Sequence, residues 1–184
     1  MHRSLTRIGI VVLLSLMSII SAGPRFVLAS DPFVSLKMSR LPAGSMAAPF
    51  ALTTLDGKVV KSSELAGKVV LMNFWATWCG PCKEEMPSLA QLQRQLDPAH
   101  FVLMTVTTDV QPQGITHFLS QLGVSVPVLF DEDQEVSRSF MVRGLPTTVV
   151  IARDGTLAGR AVGPRAWDSP EAVAVMRQVM ESGK

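Results

Sequence analysis

The sequence predicts an α/β fold in which helices cover a mixed β-sheet. One observation is an almost wholly apolar run at 69–75, followed by an amphipathic helical pattern and a second apolar run at 101–106. Such a strand, helix and strand form a right-handed crossover with parallel strands. The other observation is two Asp-Gly pairs, at 56–57 and 154–155, each flanked by short strand-like runs typical of antiparallel hairpins. With 184 residues, of which 47% are hydrophobic and 17% charged, the chain predicts a single folded domain.

The amino terminus has the pattern of a secretory signal. Arg3 and Arg7 precede the charge-free run 8–20, and small residues follow at 21–24. The thirteen-residue run would span roughly 20 Å as a helix, less than the ~30 Å hydrocarbon core of a bilayer. We therefore expect residues 1–29 to be a signal peptide cleaved after Ala29. An uncleaved membrane anchor is the alternative, and both place the body outside the cytoplasmic membrane.

The charge of the body excludes one class of function. Arg3, Arg7 and Arg25 lie in residues 1–29, which contain no acidic residue. The remaining chain has 14 basic and 15 acidic residues. A nearly neutral body lacks the basic surface that nucleic-acid binding requires, so we expect no nucleic-acid partner.

The first part of the body is expected to be irregular. Residues 30–46 mix Pro, Ser and Gly without a sustained period and predict an extended lead-in to a domain at 47–184. Within that domain, 50–55 and 58–61 predict a hairpin with a two-residue turn, and 63–67 predicts a short turn of helix.

The apolar run at 69–75 predicts a central strand covered on both faces. Pro81 stands where a helix can begin, and apolar residues recur at three- and four-residue spacings from there to Leu96. Pro87 lies inside this helix and should kink it. The later elements are expected as strands at 101–106, 126–130, 147–152 and 156–162 and helices at 115–122, 135–141 and 172–180.

The chain has two cysteines, Cys79 and Cys82, at the junction of the central strand and this helix. A zinc site would need two further ligands from His2, His100 and His117, which have no zinc-finger spacing. A purely structural disulfide across so short a loop would add little stability. The third reading is a redox-active pair, because a helix amino terminus stabilises a thiolate at Cys79. Cys79 would then be the nucleophile and Cys82 the buried resolving thiol, with no metal and no cofactor required.

At these residues the chain resembles the thioredoxin superfamily and, more narrowly, the exported TlpA/ResA-like thiol:disulfide oxidoreductases, which contain a redoxin domain. The resemblance covers residues 47–182, and the combination of WCGPC with a later LPTT is highly specific. It implies a thioredoxin-like three-layer sandwich with a central mixed sheet. The segments that carry it are Ala48-Pro49-Phe50, Asn73 to Cys82, Glu85, Val126-Pro127-Val128 and Gly144 to Thr148.

The resemblance also implies roles for individual residues. Pro146 matches a proline with a cis peptide bond that faces the cysteines, and the backbone of Leu145 would pair with an extended substrate. Cys79 and Cys82 would form a disulfide in the oxidised protein. The expected substrate surface comprises Trp78, Gly80, Pro81 and Leu145, with Trp75 also near Cys79.

The proton acceptor differs from that of cytosolic thioredoxin. The aspartate expected six residues before the first cysteine is Asn73 here, whereas the exported branch has a glutamate matching Glu85. Glu85 lies one helical turn beyond Cys82, so a partly buried Glu85 with a raised pKa could take the Cys82 proton. A surface role like that of Glu84 is the alternative. We expect Asn73→Ala to leave the pH profile intact.

The function implied is an exported reductase of protein disulfides, since the Gly-Pro pair between the cysteines is that of thioredoxin. In this family a membrane electron donor of CcdA or DsbD type recharges the protein, and disulfide-containing exported proteins of cytochrome c maturation or copper-site assembly are the substrates. A periplasmic or other extracytoplasmic location follows.

Two other functions use the same fold. A peroxiredoxin-like antioxidant needs Pro and Thr where Met72 and Ala76 stand. A copper-handling protein would have three residues between its cysteines, not two. The methionines are expected to fill the core; they include Met72, Met86, Met104, Met141, Met176 and Met180.

Overall fold

A computed structural model describes residues 30–182, and the expected signal peptide or anchor at 1–29 lies outside them. Within 30–182, no helix is long and apolar enough to cross a membrane. The strands are β1 Ser39–Arg40, β2 Ala51–Thr54, β3 Val59–Lys61, β4 Val69–Trp75, β5 Phe101–Thr107, β6 Val128–Phe130, β7 Thr147–Ile151 and β8 Leu157–Val162. The helices are α1 Pro32–Ser35, α2 Gly80–Gln95, α3 Pro112–Leu122, α4 Glu135–Ser139 and α5 Pro170–Ser182, with a 3-10 turn at Ser62–Leu65.

The eight strands form one mixed sheet in the order β1-β8-β7-β4-β5-β6-β2-β3. The pairs β4 with β5 and β5 with β6 are parallel, and the other pairs are antiparallel. The prediction of an α/β fold with a mixed sheet, a parallel crossover and two hairpins is therefore confirmed.

β4 is a central strand, and all seven of its residues are buried. Val69, Leu71 and Trp75 belong to an apolar cluster that contains the inner faces of α2 and α5. Val70, Met72 and Phe74 belong to a second cluster on the opposite face, with Phe140 at the end of α4. Because successive strand residues point to opposite faces, β4 supplies side chains to both layers of core. Asn73 alternates with Leu71 and Trp75 along the strand, so it lies on the face of β4 that α2 covers.

The amino-terminal segment does not match the sequence expectation. Residues 30–46 were expected to be extended and irregular, but they contain α1 and β1, and β1 pairs with β8. The Asp31 side chain caps α1 by accepting a hydrogen bond from the Phe33 backbone N–H at 3.0 Å. Phe33, Leu36 and Met38 are buried in the α2-side core. These elements are too short for hydrophobic periodicity to reveal; β1 is stabilised by pairing with β8, and α1 by packing against α5.

Several boundaries also differ. The first hairpin has a three-residue loop, closed by the Thr54 N–H to Lys58 carbonyl bond at 2.8 Å, with Gly57 at a φ of +81°. α3 begins three residues before the expected start, and β6 begins after Pro127. α4 ends at Ser139, so Met141 is not in the core but is 59% exposed with a φ of +52°.

Candidate active site

The two cysteines lie where the chain leaves β4 and enters α2. Cys79 is the N-cap of α2, and the structure joins it to Cys82 by a disulfide, with the two Cα atoms 5.3 Å apart. Cys79 is 5% exposed and Cys82 is fully buried. Cys79 is thus the more accessible of the two cysteines.

The amino end of α2 is directed at that sulfur. The backbone N–H of Cys82 donates to Sγ of Cys79 over 3.2 Å. N–H groups in the first turn of a helix have no partner within the helix, and the helix dipole adds partial positive charge there. Both effects stabilise a thiolate at Cys79 more than a thiol.

Asp109, which follows β5, holds the loop before Cys79. Its Oδ2 accepts the Thr77 backbone N–H at 2.7 Å, and its Oδ1 accepts the Thr77 hydroxyl at 3.1 Å. The Thr107 hydroxyl donates to Oδ2 at 2.9 Å. Sequence reasoning missed Asp109, although the parallel pairing of β4 and β5 brings the residues after both strands to one edge of the sheet.

The residues expected to form the substrate surface lie at the same edge. Trp78 is 74% exposed, and Gly80 and Pro81 are also exposed. Trp75 instead lies in the core, stacked on Phe118 with ring centroids 5.3 Å apart. Its position inside β4, on the α2 face, explains why it is not part of the surface near Cys79.

The segment before β7 completes this edge. The Leu145–Pro146 peptide bond is cis, as the resemblance implies. The β4–β7 register pairs Phe74 with Thr147, so one step further places Pro146 beside Trp75, at the end of β4 that leads to Cys79. Pro146 is buried and Leu145 is half-buried.

Glu85 lies in the interior, one turn beyond Cys82, and is only 2% exposed. Its carboxylate accepts three hydrogen bonds. Oε1 accepts from Nδ2 of Asn73 at 2.7 Å, and Oε2 accepts from Nε1 of Trp167 at 2.9 Å and from the backbone N–H of Arg165 at 3.1 Å. A role like that of the exposed Glu84 is therefore ruled out by burial.

Two opposing effects set the proton affinity of Glu85. Burial raises the pKa of the carboxyl because it penalises the charged form, and this effect is the larger. The hydrogen bonds from Trp167, Asn73 and Arg165, and the positive charge of Arg165, act to lower the pKa. The outcome is a pKa above the ordinary value, which suits a group that receives a proton from a thiol.

The expectation that Asn73→Ala leaves the pH profile intact did not include a contact between Asn73 and Glu85, which the structure shows. Asn73 Nδ2 donates both to Glu85 and to the Thr148 hydroxyl, the latter at 2.9 Å. The alternation of side chains along β4 places Asn73 on the face that α2 covers. This parity was visible in the sequence, whereas nothing there indicated that Arg165 and Trp167 would fold back onto Glu85.

Comparison with known proteins identifies the family of this chain. The Redoxin family profile matches residues 39–176. The chain is 31% identical over 144 residues to the thiol-disulfide oxidoreductase ResA of Halalkalibacterium halodurans, covering 78% of this chain and 81% of that protein. It is 34% identical over 120 residues to ResA of Bacillus subtilis, covering 65% and 67%.

Solved structures give the same result. A structure described as a putative thiol:disulfide interchange protein DsbE from Chlorobium tepidum has a TM-score of 0.65 and 33% identity, over 77% of this chain and 97% of that one. A secreted Mycobacterium tuberculosis disulfide oxidoreductase, described as homologous to DsbE, has a TM-score of 0.58 and 25% identity, over 72% and 95%. The fold is thus thioredoxin-like, as the resemblance implies. The chain belongs to the Redoxin family of the thioredoxin superfamily, and its activity is that of a thiol-disulfide oxidoreductase of the ResA and DsbE type.

Proposed function

We propose that this protein is an exported reductase of protein disulfides, with Cys79 as nucleophile, Cys82 as resolving thiol and Glu85 as proton acceptor. The observation that carries the proposal is the placement of a buried carboxylate one helical turn beyond a fully buried cysteine, whose disulfide partner Cys79 caps the helix and retains slight exposure of 5%. This arrangement supplies each group that a two-step dithiol exchange needs.

The first step is attack by the Cys79 thiolate on one sulfur of a substrate disulfide. The substrate S–S bond breaks, a mixed disulfide with Cys79 forms, and the released substrate thiolate takes a proton from solvent. The edge formed by Trp78, Gly80, Pro81 and the Leu145–Pro146 segment supports the substrate chain during this step. The backbone of Leu145 is the partner proposed for an extended substrate.

The second step resolves the mixed disulfide. Cys82 transfers its proton to the Glu85 carboxylate, and the Cys82 thiolate attacks Sγ of Cys79. The Cys79–Cys82 disulfide forms, and the second substrate thiolate leaves. Two electrons pass from the protein to the substrate, and the protein is left oxidised, as in the structure.

The direction of exchange is inferred from Gly80 and Pro81, which match thioredoxin. Thioredoxin has a potential of about −270 mV, against about −120 mV for the oxidant DsbA. The ~150 mV between them corresponds to about 7 kcal/mol in favour of donating electrons. A protein with the lower potential reduces its substrates.

Export is supported by the secretory pattern of residues 1–29 and by the similar secreted protein of M. tuberculosis. An exported reductase works in an oxidising compartment, so it requires a membrane electron donor of CcdA or DsbD type. Candidate substrates are the haem-attachment cysteines of apocytochrome c and the cysteines of copper-site assembly proteins. Mature protein beginning at Ser30 would support cleavage of the leader.

The direction is tested by the equilibrium potential of the Cys79–Cys82 pair, measured in defined mixtures of oxidised and reduced dithiothreitol with alkylation of the free thiols. We expect a value within about 40 mV of that of thioredoxin. Cys79→Ser and Cys82→Ser variants are the controls, because neither can form the intramolecular disulfide. A value near that of DsbA would contradict a reductase.

A further inference from the structure

The Arg165 guanidinium is held by four backbone carbonyls in the loop between β8 and α5 and in the amino-terminal segment. Its Nε donates to the Leu36 carbonyl and its Nη2 to the Lys37 carbonyl, both at 2.8 Å. Its Nη1 donates to the carbonyls of Gly163 and Pro164 at 3.1 and 2.8 Å. The backbone N–H of the same residue donates to Glu85 Oε2.

The carbonyls of Leu36 and Lys37 belong to a firmly packed segment, which we define as the amino-terminal brace, residues 31–40. Its side chains Phe33, Leu36 and Met38 are at most 6% exposed. The contact with β8 is close, since a Cβ added to Gly159 would lie 2.7 Å from Cε1 of Phe33. The brace therefore offers fixed acceptors to Arg165.

We propose that Arg165 is a positioning residue for Glu85, and that the amino-terminal brace fixes it in place. Four carbonyl contacts hold the Arg165 side chain, and through it the loop whose N–H groups reach the Glu85 carboxylate. The consequence for disulfide exchange rests on the proposed function of Glu85 as proton acceptor, whereas the effect on the proton affinity of Glu85 does not.

The groups that face Glu85 are few. β4 contributes the Asn73 amide, the loop before α5 contributes the Trp167 indole and Arg165, and α2 itself contributes Cys82 one turn away. Among the groups that act on Glu85 within residues 30–182, Arg165 supplies the positive charge. Removing that charge and loosening the loop both favour the neutral carboxyl, so the two effects raise the proton affinity together.

The Trp167 indole reports the charge of Glu85 directly, because its N–H donates to Oε2 at 2.9 Å. The protein has three tryptophans, so its indole ¹H–¹⁵N signals can be assigned with Trp75→Phe and Trp78→Phe variants. The titration is followed in the oxidised protein, whose cysteines are bonded and do not titrate. The test compares wild type with Arg165→Gln and Arg165→Lys.

Arg40→Met is the matched control. Arg40 also belongs to the brace, where it pairs with Asp31 at 2.9 Å and lies 3.9 Å from the centre of the Phe33 ring, but it donates no hydrogen bond to Glu85. Arg40→Met removes an arginine from the same segment but keeps the Arg165 side chain and its acceptors at Leu36 and Lys37, so it reports any effect that does not act through Arg165.

We expect the titration midpoint of the Trp167 signal to rise by about one pH unit in Arg165→Gln. Arg165→Lys keeps the charge with fewer donors, so it should show a smaller rise, and Arg40→Met should show none. A wild-type midpoint in whichever Arg165 variant folds, or an equal shift in Arg40→Met, would overturn the proposal. The titration is measured without substrate, so its result tests the positioning role of Arg165 independently of the reductase activity.

Discussion

Replacing Trp167 by Phe is expected to shift the pH dependence of disulfide reduction. The change removes the indole N–H that donates to Glu85 Oε2 at 2.9 Å and keeps an aromatic ring in a fully buried site. Without that donor the ionised carboxylate is less stable, so the pKa of Glu85, already raised by burial, rises further.

The size of the shift follows from the type of bond lost. A hydrogen bond to a charged group contributes about 1.5–3 kcal/mol. One pKa unit corresponds to about 1.4 kcal/mol, so the pKa of Glu85 should rise by about 1–2 units. Well below the wild-type pKa, the fraction of protein with an ionised Glu85 is then lower by about 10- to 100-fold.

The assay is the rate of reduction of a protein disulfide, such as that of insulin, between pH 4 and 9, with single-turnover reduced protein. The acid limb of the profile should move to higher pH by about 1–2 units, while the rate at high pH should stay near that of wild type. Trp75→Phe is the matched control, because Trp75 is equally buried but its Nε1 has no hydrogen-bond partner in the described part of the chain. An acid limb in Trp167→Phe at the wild-type position would refute the assignment of Glu85 as proton acceptor.

Three further results are expected. In the reduced protein, iodoacetamide should alkylate Cys79 rapidly and Cys82 slowly, and the pH dependence should give Cys79 an apparent thiol pKa below that of free cysteine. Equal alkylation rates for the two thiols from pH 5 to 9 would contradict the assignment of Cys79 as nucleophile. Asn73→Ala should move the acid limb upward by about one pH unit, since it removes a donor to the Glu85 carboxylate; an unchanged limb would show that this bond has no effect on proton transfer. The pKa of Glu85 is higher in the folded than in the unfolded chain, so the free energy of unfolding should fall as pH rises from about 4.5 through the folded-state pKa. Urea titrations at several pH values should show this fall in wild type and not in Glu85→Gln. An equal fall in Glu85→Gln would assign the pH dependence to another group.

The central part of the fold was predictable because its signals are local and strong. The apolar run of β4, the repeat spacing of α2 and the two Asp-Gly turns each carry enough information to define an element. The cysteine pair and the cis Leu145–Pro146 bond belong to motifs that the sequence contains in full. The β4–β7 register brings the cysteine pair and the Leu145–Pro146 bond to the same edge of the sheet.

The environment of Glu85 was less predictable. Its partners Arg165 and Trp167 are about eighty residues away in sequence, and their approach depends on how the loop before α5 packs. The brace was missed for a similar reason, since α1 has four residues and β1 has two. Elements this short are stabilised by tertiary contacts and leave no periodic pattern.

Trapping the mixed disulfide tests the central claim of dithiol exchange most directly. In Cys82→Ser the attacking Cys79 remains and the resolving thiol is gone, so the intermediate should accumulate and be isolated under non-reducing conditions. We expect adducts with exported proteins that carry a cysteine pair, foremost an apocytochrome c or a copper-site assembly protein, and none with Cys79→Ser/Cys82→Ser. Absence of any Cys79-dependent adduct would contradict the account.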